Sequence, residues 1–150
     1  MKKTKDDYFK KCGVKVQLIK DSSYGNGPVV KTPESVAELV CDLKSKDREH
    51  LICIHLNTRN AVVGIETVSI GSLNANIVHP REVFKAAILN NAASVILVHN
   101  HPSGDTSASE EDIEITKRIV EAGKIVGIDV LDHIIVTASG HSSLKENGVI

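Results

Sequence analysis

The sequence contains no tryptophan and only two tyrosines and two phenylalanines among its 150 residues. Single-stranded nucleic acids stack on aromatic side chains, so the chain is poorly supplied for that mode of binding. Basic and acidic residues nearly balance, with 18 Lys and Arg against 19 Asp and Glu, whereas a dedicated nucleic-acid binder usually has a strong basic excess. The composition therefore disfavours a protein whose main task is to bind nucleic acid.

Long hydrophobic runs are also missing. The longest mostly apolar stretch, around residues 92–98, is far too short to cross a bilayer, so we expect no membrane segment. No apolar segment follows the basic N-terminal residues, which argues against a secretory signal. The three cysteines, Cys12, Cys41 and Cys53, have neither C-x-x-C spacing nor the spacing of a disulfide framework. These features predict a reducing, cytoplasmic environment.

The chain has enough apolar sequence for one domain with a substantial core, with 41% hydrophobic and 25% charged residues. Positive charge is concentrated in residues 1–20, which hold seven Lys and two Asp. We predict that residues 1–33 form a basic N-terminal arm and an irregular segment, and that residues 34–150 form the folded domain. The simplest role of the Lys-rich arm is a solvated chain end, and the alternative is a weak contact with nucleic acid or another acidic partner.

Apolar periodicity predicts helices and strands in alternation along the domain. The expected helices span residues 33–45, a segment that starts at His79-Pro80 and is ended by Asn90-Asn91, and a segment that starts at Ser109 and has Gly123 near its end. The expected strands span residues 50–57, 61–69, 71–78, 94–98 and 127–136, with a hairpin turn at 58–60 and a polar loop at 99–108. This order predicts the α/β class, as a single three-layer domain with a mixed sheet and helices packed on its faces.

The segment SVILVHNHPSGDTSASEED, residues 94–112, combines two histidines with acidic residues. His99 and His101 are separated by one residue, and side chains at such positions of an extended backbone lie on one face. A Pro and a Gly then turn the chain, which places the pair at the end of a buried strand, where α/β sheets usually carry their sites. Asp112 follows in the first turn of the next helix. Two histidines and one carboxylate can hold a catalytic zinc ion and leave its fourth position open.

Each of these residues also has a purely structural explanation. Ser109 and Asp112 have the spacing of a capping box, in which Asp112 would only satisfy the helix N-terminus. Asp105 competes for the role of the carboxylate, although it is also a natural turn residue. His79 could ligate a metal but more simply begins a helix, and His133 in an apolar strand fits a hydrogen-bonded core histidine. The spacing alone therefore indicates only a candidate His/His/Asp metal site.

The spacing His99-x-His101-Pro102, followed after six residues by Ser109-x-x-Asp112, resembles the JAMM signature of MPN-type metallopeptidases. The longer stretch of residues 78–136 is similar to RadC proteins of bacteria, and the resemblance extends over roughly residues 34–140. It implies a JAB/MPN domain with a cytidine-deaminase-like architecture.

The resemblance also implies roles for individual residues. His99, His101 and Asp112 match the three ligands of Zn²⁺ in the family, and Ser109 matches the serine whose hydroxyl stabilises the tetrahedral intermediate. Relatives of this type cleave peptide or isopeptide bonds with a zinc-activated water. The implied activity is therefore a metallopeptidase acting on a protein or peptide.

The family's general base is a glutamate at or beside the start of an upstream strand. Glu49 matches this position, because it directly precedes the strand predicted from residue 50. Two further glutamates lie upstream of the motif: Glu66 is more simply an outward-facing strand residue, and Glu82 a residue of the first turn of a helix. The choice of Glu49 comes from the resemblance, since composition does not distinguish the three.

Three other functions compete with the peptidase. A zinc nucleoside deaminase needs H-x-E and P-C-x-x-C, and the sequence contains neither. A hydrolase with Ser103 as its nucleophile lacks the G-x-S-x-G elbow, and Cys53 lies in an apolar strand.

The third competitor is a DNA-repair-associated DNA-binding module without catalytic activity, which the RadC resemblance and the Lys-rich N-terminus favour. The chain has only about 33 residues before its first helix, and longer RadC proteins carry an N-terminal helix-hairpin-helix segment there. This difference weakens the expectation of a DNA-directed role.

Overall fold

A computed structural model describes residues 27–71 and 78–150 of the chain. The strands are β1 (His50–Leu56), β2 (Val62–Ile70), β3 (Ser94–Asn100), β4 (Asp129–Val136) and β5 (His141–Ser143). The helices are α1 (Pro33–Leu39), α2 (Pro80–Leu89) and α3 (Glu110–Val126), and a short 3₁₀ helix (Cys41–Ser45) follows α1. The strands form one sheet in the order β2-β1-β3-β4-β5.

The sheet is mixed and has helices on both faces. β3 pairs in parallel with β4 and antiparallel with β1, and the two outer pairs are antiparallel. One face packs against α1 and the 3₁₀ helix, and the other face packs against α2 and α3. All seven residues of the central strand β3 are buried, as expected for a strand covered on both faces. The predicted three-layer α/β architecture is confirmed.

The hairpin predicted at residues 58–60 is also confirmed, since it joins the antiparallel strands β1 and β2. The side-chain oxygen of Asn57 accepts the amide protons of Arg59 and Ala61, at 2.9 and 3.1 Å. Asn60 adopts a φ of 57°, a left-handed conformation that Asn tolerates better than most residues.

The strand predicted at residues 71–78 falls mainly on residues 72–77, which lie outside the described residues. Gly71 is described, and it bends out of β2 with a φ of 110°.

The helix predicted for residues 33–45 is wrong in its second half, where the chain tightens into the 3₁₀ helix. This turn buries Leu43 in the core beside Val40. Apolar residues three apart fit either helix type over a single turn, so the pattern did not distinguish them.

Gly123 lies near the end of the third helix, as predicted. Gly123 lies inside α3, which continues to Val126 and is capped by Gly127 in the left-handed conformation. A Cβ atom on Gly123 would lie 2.5 Å from the carbonyl oxygen of Ile128. This glycine therefore permits a close approach of the chain that leads into β4, rather than ending the helix.

The boundary between the predicted strand 94–98 and the predicted loop 99–108 is two residues too early. His99 and Asn100 belong to β3 and are 0% and 1% exposed. Both find polar partners inside the protein, so burial does not leave them unsatisfied. β5 was not predicted.

Residues 27–32 were assigned to the irregular N-terminal segment, and they pack onto the domain. Val30 is buried in the core below α1, and Val29 forms an isolated bridge with Ala61 of the hairpin. Residues 1–26, which include the Lys-rich part of the predicted arm, lie outside the described residues. Within the described ranges, no helix is both long enough and apolar enough to cross a membrane.

Candidate metal centre

Three chain segments meet at one end of the central strands of the sheet. They are the C-terminal end of β3 with the turn after it, the residues just before β1, and the N-terminus of α3, because β1 runs antiparallel to β3. A cleft opens here, and Glu49, His101, Ser109 and Asp112 are among the residues that line it.

The predicted metal-ligating residues come together at this cleft, where His101 and Asp112 line it and His99 is buried beside them. The Nε2 atoms of His99 and His101 lie 2.7 Å apart. The two carboxylate oxygens of Asp112 divide between them, with Oδ1 3.3 Å from His99 Nε2 and Oδ2 3.4 Å from His101 Nε2. Among the described residues, these three form the one group of three or more His, Cys, Asp or Glu side chains placed to hold a metal ion, and their ligand atoms all lie within 4.8 Å of one another.

The outer ring nitrogens of both histidines are already occupied. His101 Nδ1 lies 2.7 Å from the backbone oxygen of Asp105, and because a carbonyl only accepts, Nδ1 carries the proton. His99 Nδ1 contacts His133 Nε2 at 2.8 Å. Both Nε2 atoms face each other and the carboxylate of Asp112, so the three side chains are directed at one point. Two imidazoles and a carboxylate fit a divalent ion such as zinc, although this donor set does not choose among the transition metals.

Asp112 is held in its charged form despite being only 3% exposed. Burial alone raises the pKa of this carboxyl, but the contact with His99 and the hydrogen bonds with Ser109 outweigh burial. The pKa therefore lies well below its ordinary range. The carboxylate is therefore anionic at neutral pH.

Asp112 also forms the capping box with Ser109 that its spacing in the sequence predicts. Asp112 Oδ2 accepts the amide proton of Ser109 at 2.8 Å, and Ser109 Oγ accepts the amide proton of Asp112 at 3.1 Å. The helix cap and the contact with the two histidines use the same carboxylate. The two explanations hold together, because each oxygen of Asp112 has room for more than one partner.

Glu49 is half-buried at the mouth of the cleft, and the buried amide of Asn100 clamps the backbone on both sides of it. Asn100 Oδ1 accepts the amide proton of His50 at 2.7 Å, and Asn100 Nδ2 donates to the carbonyl of Arg48 at 2.9 Å. Asn100 was not predicted as a residue of the site. The feature that could have indicated it is a polar residue between the two histidines, whose side chain points to the opposite side of the strand.

The two other upstream glutamates lie elsewhere. Glu66 pairs across the sheet with Cys53, and burial raises its pKa. Glu82 forms surface ion pairs with Arg81 and Lys85, both at 3.2 Å. Neither lines this cleft, so Glu49 is the one of the three glutamates that the structure brings there.

The competing residues have structural roles. Asp105 Oδ1 accepts the amide proton of Ser107 at 2.8 Å, which makes it a turn residue outside the metal-ligating group. His79 precedes the first turn of α2 and makes no side-chain cap. Burial raises the pKa of the Cys53 thiol to about 12, with a further contribution from the charge of Glu66. A nucleophilic role for Cys53 is therefore disfavoured, since the thiolate is the reactive form.

His133 is the hydrogen-bonded core histidine that the sequence predicted. It is fully buried, and its Nδ1 lies 2.5 Å from the hydroxyl of Thr116. Burial lowers the pKa of His133 well below its usual value. The contact between His133 and His99, and the presence of Thr116 behind them, were not predicted.

Comparison with known proteins gives a consistent result. The family model described as a RadC-like JAB domain matches residues 30–149. A UPF0758 protein of Desulforamulus reducens is 57% identical over 123 residues, which cover 81% of this chain and 54% of the relative. UPF0758 proteins of Geobacillus thermodenitrificans and Caldanaerobacter subterraneus are 53% and 54% identical, over 88% and 85% of this chain and 59% and 55% of their own lengths. The chain thus spans little more than half the length of these curated relatives.

Proposed function

Because the chain belongs to the RadC-like JAB domain family, we propose that it is a zinc-dependent metallopeptidase that hydrolyses an amide bond of a protein or peptide. One observation carries this proposal. The ligand atoms of His99, His101 and Asp112 lie within 4.8 Å of one another, at a cleft that Glu49 and Ser109 also line. These are the residue types that amide hydrolysis by an activated water requires.

His99, His101 and Asp112 would hold the metal ion. Bound zinc lowers the pKa of water toward neutrality and polarises a carbonyl, which is the chemistry that amide hydrolysis needs. The anionic Asp112 and two neutral imidazoles leave part of the positive charge of a divalent ion uncompensated. This residual charge favours the binding of a carbonyl oxygen in the cleft.

Glu49 and Ser109 would supply the proton transfers and the oxyanion contact. Glu49, fixed at the mouth of the cleft by the Asn100 clamp, accepts the proton of the attacking water and returns it to the leaving amine. Ser109 Oγ uses a lone pair to accept the amide proton of Asp112. Its own proton is therefore available for donation to the oxygen on which negative charge develops.

The charge of the cleft supports an amide substrate over a nucleic acid. Among the residues that the structure describes, its lining includes the acidic residues Glu49, Asp105, Glu111 and Asp112 and no Lys or Arg. A phosphodiester backbone would be repelled by such a surface, whereas a neutral peptide would not. The non-catalytic DNA-binding module is the alternative function, and it would have to use another surface.

We place this activity in the cytoplasm. The scattered cysteines support a reducing compartment, and Cys41 and Cys53 are both free thiols in the structure.

The proposal is tested first by metal analysis of purified protein after zinc reconstitution. About one zinc ion per chain is expected in the wild type, and loss of zinc in His101→Ala and in Asp112→Asn. The asparagine keeps an oxygen that can cap α3, so loss of zinc would not reflect a lost helix cap. Glu111→Ala is the matched control, since it removes an exposed carboxylate from the same cleft and Glu111 does not belong to the metal-ligating group.

Activity is then tested on a peptide library. Glu49→Gln should keep its zinc and lose cleavage, which separates the base from the ligands. Absence of zinc in the reconstituted wild type would rule out the metallopeptidase. Salt-dependent binding of duplex DNA by a zinc-free protein would instead support the DNA-binding alternative.

A further inference from the structure

We propose that Thr116 and His133 are positioning residues that hold His99 with its proton on Nδ1 and its Nε2 lone pair directed at Asp112 and His101. A histidine binds a metal through a nitrogen that carries no proton, so the tautomer of His99 decides whether Nε2 can be a ligand. The inference rests on the metal site proposed above, but the tautomer itself can be measured without any metal.

The donor and acceptor of each hydrogen bond can be assigned by starting from a backbone carbonyl of α3. Thr116 Oγ1 lies 2.5 Å from the carbonyl oxygen of Asp112 and 2.5 Å from His133 Nδ1. A carbonyl oxygen can only accept, so the single hydroxyl proton of Thr116 is donated to Asp112. The oxygen of Thr116 must then accept a proton from His133 Nδ1.

The same logic carries to the metal ligand. His133 is fully buried, and a buried imidazole remains neutral and carries one proton. Because that proton is on Nδ1, His133 Nε2 has a lone pair and accepts from His99 Nδ1, at 2.8 Å. His99 therefore keeps its proton on Nδ1, which leaves Nε2 free of a proton on the side of Asp112.

We call this chain of hydrogen bonds, from the Asp112 carbonyl through Thr116 and His133 to His99, the relay. Its burial keeps water away from it. Thr116, His133 and His99 are each 0% exposed, so no solvent molecule can replace a partner on their inner sides. Both ends of the relay contact the same residue, Asp112. The relay begins at the backbone carbonyl of Asp112 and ends at His99 Nε2, which lies 3.3 Å from the side chain of Asp112. One turn of α3 thus supplies a ligand and sets the tautomer of another.

Removal of the Thr116 hydroxyl should reverse the relay. His133 would have no acceptor for a proton on Nδ1, and the proton would be better placed on Nε2, where it can donate to His99. His99 Nδ1 would then be the acceptor, and its own proton would move to Nε2. That proton occupies the position the metal needs.

Two variants at position 116 separate this role from packing. Thr116→Val keeps the shape of the side chain and loses the hydroxyl, whereas Thr116→Ser keeps the hydroxyl and loses the methyl group. If Thr116 only fills space, the valine variant should resemble the wild type and the serine variant should not. The relay predicts the opposite order.

The first measurement is two-bond ¹H–¹⁵N NMR of histidine-labelled, metal-free protein, which reports the tautomer of each ring. His99 is expected as the Nδ1–H tautomer in the wild type and in Thr116→Ser, and as the Nε2–H tautomer in Thr116→Val. The second is zinc affinity measured against a competing chelator. Thr116→Val should bind zinc about 10–100-fold more weakly, which is the usual effect of losing a partner behind a metal ligand, and Thr116→Ser should bind like the wild type.

The outcomes distinguish this inference from the function on which it rests. A His99 proton on Nε2 in the metal-free wild type, or equal zinc affinity of the valine and serine variants, would overturn the relay. A wild-type protein that shows the Nδ1–H tautomer and yet binds no zinc would overturn the metallopeptidase and leave the relay standing.

Discussion

Replacement of Asn100 by alanine should loosen the backbone that carries Glu49. The side chain of Asn100 makes two hydrogen bonds, to the amide of His50 and the carbonyl of Arg48. Each is worth about 1 kcal/mol net, so the free energy of unfolding should fall by about 2 kcal/mol. The cost should not rise far above this value, because Arg48 is exposed and His50 half-buried, and water can reach the groups left behind.

The assay combines urea unfolding with amide hydrogen exchange at His50. An energy of about 2 kcal/mol corresponds to about 30-fold faster exchange where the amide opens locally. Asn57→Ala is the matched control, since Asn57 also makes two side-chain bonds to backbone amides, at 2.9 and 3.1 Å, but in the β1–β2 turn. It should lower the free energy of unfolding by a similar amount and leave exchange at His50 unchanged.

A loss of less than about 0.5 kcal/mol in Asn100→Ala would refute the clamp, because it would be smaller than one ordinary hydrogen bond. Unchanged exchange at His50 would refute it as well. Zinc binding serves as a further check, since Asn100 contacts none of the three proposed ligands through its side-chain amide. A variant that also lost zinc binding would show that the substitution disrupts the whole C-terminal end of β3.

Two further predictions concern the face of the sheet that packs against α2. Burial lowers the pKa of His55 below its ordinary 6.5, so protonation favours the unfolded chain and the free energy of unfolding should fall as the pH drops below about 6.5. In urea titrations between about pH 5 and 7, His55→Gln should show a shallower slope, and an unchanged slope would contradict this. Cys53 should resist iodoacetamide until the protein unfolds, whereas the exposed Cys41 should react in the native state. Peptide mapping by mass spectrometry checks this, and rapid native alkylation of Cys53 would show that its burial is misjudged.

Features of the fold that depend on local chemistry were predictable from the sequence. Thr32 and Pro33 indicated the start of α1, and the side chain of Thr32 does accept the amide proton of Ser35. The apolar run after residue 94 indicated the central buried strand, and β3 occupies that place in the sheet. Such signals lie within a few residues of the structure they specify.

The parts that were missed depend on residues far apart in the chain. His99 and His133 meet because β3 and β4 are parallel neighbours, and no periodicity in either segment encodes that pairing. Asn100 looked like a loop residue because a polar side chain can be buried only when its partners are in place, here some 50 residues earlier. The choice of Glu49 among three glutamates came from the family resemblance, since each of them suits its local structure.

The double use of Asp112 has a consequence for how this site would decay in evolution. A copy that no longer needed the metal would still gain about 1 kcal/mol from the cap that Ser109 and Asp112 form on α3. Selection for folding alone would therefore keep both residues. The ring of His101 is partly exposed and, outside the metal-ligating group, is held by one carbonyl oxygen. A family member that has lost metal binding could thus be recognised by a substitution at position 101 together with an intact Ser-x-x-Asp pair.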